Sequence, residues 1–128
     1  MKPKVENFIG CDSDYAAAKI VRYGAPFDST TSFRPGARFG PAAMRHERFA
    51  LETYSPYQDA DLTDCAVFDS GDMELCFGSS EAASADIDAR APETSAERKL
   101  PLLSGAHSIS PLRASPPPVS HTPYPPHF

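Results

Sequence analysis

Proline is the residue that most restricts how this chain can fold. Eight of its fourteen prolines lie in the last 28 of its 128 residues. Each proline fixes its own φ and lacks an amide donor, so a proline-dense segment can form neither a helix nor a central strand. We therefore predict an extended or disordered tail over residues 111–128 and one folded unit over residues 1–110. A unit of about a hundred residues can bury only a small core.

Charge and cysteine content exclude several classes of protein. The net charge of −5 at pH 7 argues against a nucleic-acid binder, which usually carries a basic face. The three cysteines form no CxxC pair, which indicates free thiols in a reducing compartment. The apolar runs are too short to cross a bilayer, and the N-terminus lacks the apolar core of a signal peptide. The sequence therefore predicts a cytoplasmic protein with no nucleic-acid or membrane partner.

Strand-like and helix-like segments alternate along the first hundred residues. Apolar segments bounded by glycine or proline predict strands at residues 19–25, 65–69 and 100–103. A helix is predicted to begin at Gly40-Pro41, and a weaker helix is predicted over residues 80–99. This order of elements is typical of an α/β unit with parallel strands.

The two predicted helices differ in amphipathic character. The first has one broad face formed by Ala43, Met44, Glu47, Ala50 and Leu51, and its other face is predicted to present to water Arg45, Arg48 and Glu52. In the second, the apolar face is thin. Pro92 is predicted to break it, because a proline inside a helix costs about 3 kcal/mol.

The stretch GAPFDSTTSFRPGARFGPAAMR, residues 24–45, resembles the early signature of the ureohydrolases, the arginases, agmatinases and their relatives. That signature is a strand ending in G-x-P-x-D, a serine-containing loop, R-P-G-x-R-x-G-P and a helix. The chain matches it at Gly24, Pro26, Asp28, Ser32, Arg34, Pro35, Gly36, Arg38, Gly40, Pro41 and Arg45. The flanking segments ENFIGCDSDY, LETYSPYQDADL and VFDSGDMELCFG most resemble agmatinases. The resemblance implies the incomplete amino-terminal portion of an arginase-like, three-layer α/β fold with a parallel sheet.

A second match, LPLLSGAHS, ends in a histidine that the resemblance implies to be a metal ligand. The family has a strand followed there by G-G-[DE]-H-S, and its histidine is one ligand of a two-manganese centre; by position this is His107. Ser104 replaces the first glycine, and Ala106 replaces the acidic residue. The family's D-A-H-x-D and S-x-D-x-D motifs, which supply the other ligands, are not found in this sequence. We therefore predict His107 as a metal ligand, with no catalytic and no other cofactor-binding residue.

The resemblance implies hydrolysis of the agmatine guanidinium group to putrescine and urea, with two Mn²⁺ ions lowering the pKa of a shared water. It also implies a homo-oligomer. Because most metal ligands are missing, the chain is expected to be truncated and inactive alone.

Two alternatives stay open: another ureohydrolase, such as an arginase or guanidinobutyrase, or a non-catalytic remnant that acts by association with a partner protein. A third alternative is a chain that does not fold stably, whose exposed strand edges would favour aggregation.

Residues of the matched loop have a functional and a structural interpretation. Arg34 and Arg38 could contact substrate, or could brace the loop through hydrogen bonds and ion pairs to Asp28 or to a neighbouring subunit. The second is favoured, because a cationic substrate gains nothing from nearby arginines. Gly36 and Gly40 are predicted to serve backbone geometry. The Asp28 side chain is predicted to cap a turn.

Other polar residues have weaker functional interpretations. Asp69, Asp72 and Glu74 could form a metal site, but a solvated turn after the second strand is the favoured prediction. His46 is predicted to be exposed on a helix surface. The tail histidines have no fixed geometry, and Ser108 beside His107 lacks the GxSxG elbow of a nucleophile; these tail histidines are His121 and His127.

Overall fold

The computed structural model describes residues 6–29 and 35–106. In chain order these residues form β1 (Ile20–Phe27), α1 (Gly40–His46), β2 (Tyr54–Ser55), β3 (Ala60–Asp61), β4 (Val67–Asp72), α2 (Ser80–Ala96) and β5 (Leu100–Ala106). Short 3-10 helices occur at Ala37–Phe39, Glu47–Ala50 and Leu62–Cys65. The predicted tail at 111–128 lies outside the described residues, so the division of the chain at residue 110 stays a prediction.

A three-stranded parallel sheet, in the order β4-β1-β5, forms the centre of the fold. The central strand β1 is covered on both faces, which explains why its sequence, IVRYGAPF, is rich in apolar residues. The prediction of an α/β unit with three parallel strands is confirmed. Each strand ends two or three residues beyond its predicted end.

The two faces of β1 differ in chemistry. Alternate residues of a strand point to opposite faces, so Ala25 and Phe27 share one face. There they form the hydrophobic core with residues of α2 and the segment before it: Leu75, Ala83 and Ile87. Burying a side chain the size of Phe27 contributes about 1.5–3 kcal/mol to stability. Arg22 and Gly24 lie on the opposite face, against which α1 packs. The sheet is thus the middle of three layers.

Helix α2 is continuous through Pro92, so the predicted break is wrong. The Ser79 hydroxyl caps the start of the helix by accepting from the Ala82 amide at 3.2 Å. Ile87 is buried before the proline, and after it the Thr94 hydroxyl lies 2.5 Å from the Tyr23 hydroxyl of β1. Contacts on both sides of Pro92 therefore hold the helix together against the cost of the missing hydrogen bond.

The predicted faces of α1 are also wrong. The α-helix ends at His46, and Arg45 is buried whereas Ala43, Ala50 and Leu51 are exposed. Arg45 turns inward because it meets carboxylates on β4. Glu52 is exposed as predicted, and Arg48 is half-buried, donating to the Asn7 carbonyl at 3.3 Å.

The segment before β1 covers the outer edge of β4. Asp12 forms an antiparallel bridge with Phe68, and the Ser13 amide donates to the Val67 carbonyl at 3.2 Å. The chain after α1 adds a short antiparallel pair of β2 with β3. An edge strand with occupied backbone groups is a poorer template for pairing with other chains.

Two features of composition have structural counterparts. Cys11 is buried, Cys65 and Cys76 are exposed, and all three are free thiols, as predicted. Within residues 6–29 and 35–106, neither helix is long and apolar enough to cross a bilayer.

Candidate functional site

The carboxyl ends of the three parallel strands meet at one edge of the sheet, where α/β proteins place their sites. Phe27, the last residue of β1, pairs with Ala106, the last residue of β5, and Asp72 ends β4 opposite Gly24. His107 follows Ala106 but lies outside the described residues. Its role as a metal ligand therefore stays a prediction.

Asp28, directly after β1, fixes the glycine-rich loop. Its Oδ2 accepts from the Gly36 amide at 2.8 Å, which confirms the predicted turn cap. The half-exposed Arg38 lies with Nε 3.8 Å from the same oxygen, as the bracing interpretation predicts. Gly36 has φ 144°, which favours glycine. Gly40 has ordinary helical angles and open space beside it, so its predicted backbone role is wrong.

A buried charge cluster joins β1, α1 and β4; we define it as Arg22, Arg45, Asp69 and Asp72. Arg45 donates from Nε and Nη2 to the two oxygens of Asp69 at 2.8 and 2.9 Å, and from Nη1 to Asp72. Arg22 donates from Nη1 to Asp69 at 3.3 Å. Only 1% of the Asp69 side chain and 7% of the Arg45 side chain are exposed.

The predicted solvated turn is wrong for Asp69, because the Arg45 fork and backbone amides surround its carboxylate. The amides of Phe8 and Gly71 donate to it at 2.8 and 3.0 Å. The prediction holds in part for Asp72, whose side chain is 35% exposed but is paired with Arg45. Glu74 is exposed, as predicted.

Burial and hydrogen bonding shift the pKa values of the charge cluster. Burial alone would raise the pKa of Asp69, but hydrogen bonds from Arg45, Phe8 and Gly71 outweigh it and hold that pKa below its usual value. The hydrogen bonds to Asp69 raise the pKa of Arg45, whereas burial lowers the pKa of Arg22. Asp69 is therefore an anion at neutral pH and is fully engaged in holding the elements together.

Two strand glycines make room for the proline that starts α1. A Cβ on Gly24 would lie 2.9 Å from Pro41 Cβ and would collide with an Asp72 oxygen. Gly105 has φ +89°, and a Cβ there would lie 2.5 Å from Pro41 Cγ. Pro41 therefore packs between β1 and β5, which explains why positions 24 and 105 are glycines.

We expect Gly105→Ala to destabilise the fold more than Gly71→Ala. Both glycines have positive φ, 89° and 83°, but a Cβ on Gly71 would meet nothing within 4 Å. Left-handed backbone costs a non-glycine residue about 1–2 kcal/mol, and overpacking against Pro41 adds about 1–3 kcal/mol. Urea denaturation of the two variants measures the difference; equal losses would contradict the packing of Gly105 on Pro41.

The described residues do not fit a two-metal centre. Within residues 6–29 and 35–106, no group of three or more His, Cys, Asp or Glu side chains is placed to hold a metal ion. Both oxygens of the most buried carboxylate, Asp69, already accept hydrogen bonds from Arg45 and from backbone amides. His46 is exposed as predicted, with Nδ1 3.9 Å from Glu6. Arg34, Ser108, His121 and His127 lie outside the described residues.

A recess of about 720 Å³ lies beside the carboxyl end of β4. It runs between β4 and α2 and includes Tyr23, from the middle of β1, and four acids: Asp72, Glu74, Asp86 and Glu93. Its acids are not close enough together to hold a metal, as stated for the described residues above. We assign this recess no part in the site.

The sequence predictions gave Arg22 no role and Arg45 a water-facing position, so they did not predict that both side chains are buried against Asp69. One signal was available. Arg22 lies between apolar residues in a strand expected to be central, and a buried cation requires a partner of opposite charge. Asp69 is the candidate partner, because it follows directly after the apolar residues of the next predicted strand.

Three comparisons describe what this chain is similar to. Residues 18–113 match the Arginase family. The chain is 42% identical over 104 residues to the agmatinase of Halalkalibacterium halodurans, which is 80% of this chain and 36% of that relative. The agmatine ureohydrolase structure of Thermoplasma volcanium superposes with a TM-score of 0.74 at 28% identity, covering 84% of this chain and 37% of that one.

A further solved structure widens the range of chemistry on this fold. Proclavaminate amidino hydrolase of Streptomyces clavuligerus superposes with a TM-score of 0.66 at 26% identity over 84% of this chain and 37% of that one. The chain therefore spans little more than a third of the length of these relatives.

Proposed function

Because the chain belongs to the arginase family, we propose that it contributes the amino-terminal region of an agmatinase-type ureohydrolase. The reaction is hydrolysis of the agmatine guanidinium group to putrescine and urea. The family resemblance and the arginase-like α/β fold expected from the sequence are both confirmed by the similarities above. The observation that carries the proposal is the 42% identity to an agmatinase over 104 residues.

The structure supports this proposal through the roles of the signature residues. Asp28 holds the loop at Gly36, and Gly24 accepts the close approach of Pro41. Arg45 links α1 to β4 through Asp69. Each of these contacts holds the elements around the carboxyl edge of the sheet in position, and none of them leaves a side chain free to bind substrate there. The proposed contribution of residues 6–29 and 35–106 is therefore a rigid platform for side chains that follow the strand ends.

The metal centre is part of the proposal. His107 would be one of the ligands of a two-manganese centre, in a cytoplasmic and homo-oligomeric enzyme. Bound divalent metal supplies a hydroxide nucleophile at neutral pH. The described residues do not provide the remaining ligands, so we derive no step of the reaction through this chain. Arginase-type or guanidinobutyrase-type substrate choice is the alternative within the family.

We expect the 128-residue chain alone to release no urea from agmatine in the presence of Mn²⁺. A single imidazole does not hold two cations, because such sites draw their ligands from several strand ends. The measurement is a colorimetric urea assay with MnCl₂ at increasing protein concentration. Urea that rises in proportion to protein, and that is lost in the His107→Ala variant, would contradict the expectation.

A further inference from the structure

We draw no further inference here: the strongest candidate, the outer edge of β5 with the exposed Leu100 and Leu102, carries nothing, because no contact in the part of the chain that the structure describes shows what covers that edge.

Discussion

Asp69→Asn should cost about 3–5 kcal/mol of the free energy of unfolding, the usual penalty for removing one partner of a buried ion pair. The asparagine keeps the shape of the side chain but not its charge. Arg22 would then lose its carboxylate partner, and Arg45 would keep only Asp72, whose side chain is 35% exposed. For a small domain, whose total stability is about 5–15 kcal/mol, this loss is a large fraction.

The measurement is urea denaturation followed by circular dichroism, with Glu93→Gln as the matched control. Glu93 pairs with Arg90 across one turn of α2, and both side chains are more than half exposed. That variant should change stability by no more than about 0.5 kcal/mol. Similar losses in the two variants would contradict the assignment of Asp69 as the structural centre of the charge cluster.

A combined variant separates the loss of charge pairing from the loss of packing. Replacing Arg22 and Arg45 with Met and Asp69 with Leu removes the buried charges together. Buried ion clusters replaced by apolar residues of similar size are often as stable as the original. The triple variant should therefore recover most of the stability that Asp69→Asn loses. Failure to recover would indicate that the hydrogen bonds from the Phe8 and Gly71 amides, which have no acceptor in the Leu variant, contribute as much as the charge pairing.

The pKa of Asp69 gives the same cluster a pH signature. Because its pKa in the folded state lies below its value in the unfolded chain, its stabilising contribution is complete above the unfolded pKa, about 3.9. That contribution is lost as the pH falls through the folded pKa. Stability should therefore drop below about pH 4 in the unaltered chain, and less steeply in Asp69→Asn.

Local patterns in the sequence were enough to predict part of this fold. Three strands and their parallel arrangement follow from apolar runs bounded by glycine and proline. The Asp28 cap on Gly36 spans eight residues, and such short-range turn chemistry is visible in the sequence. These are features whose partners lie close together along the chain.

Features that depend on distant partners could not be predicted in the same way. Arg45 was assigned to water because a helical wheel counts arginine as polar, yet its partner Asp69 lies 24 residues away. Pro92 was expected to break a helix that Tyr23, 71 residues from Thr94, helps to hold in place. In both cases tertiary contacts outweigh a local preference. For the candidate site, the match to the family motif predicts His107 as a metal ligand, and no local pattern defines its remaining partners.

Removing His107 from a complete active site should abolish turnover, and a chimera provides that context. Residues 1–113 of this chain would replace the matching region of the Halalkalibacterium halodurans agmatinase, to which the chain is 42% identical. If the proposed function is right, the chimera releases urea from agmatine with Mn²⁺, and His107→Ala lowers the rate by more than about 100-fold. Even the residues that merely support metal ligands change affinity or activity about 10–100-fold. The control is His46→Ala, which removes an exposed histidine that lies 3.9 Å from Glu6, and this variant should retain activity. A folded chimera that is inactive on agmatine would contradict the proposed function, whereas an active chimera unaffected by His107→Ala would contradict only the assignment of the metal ligand.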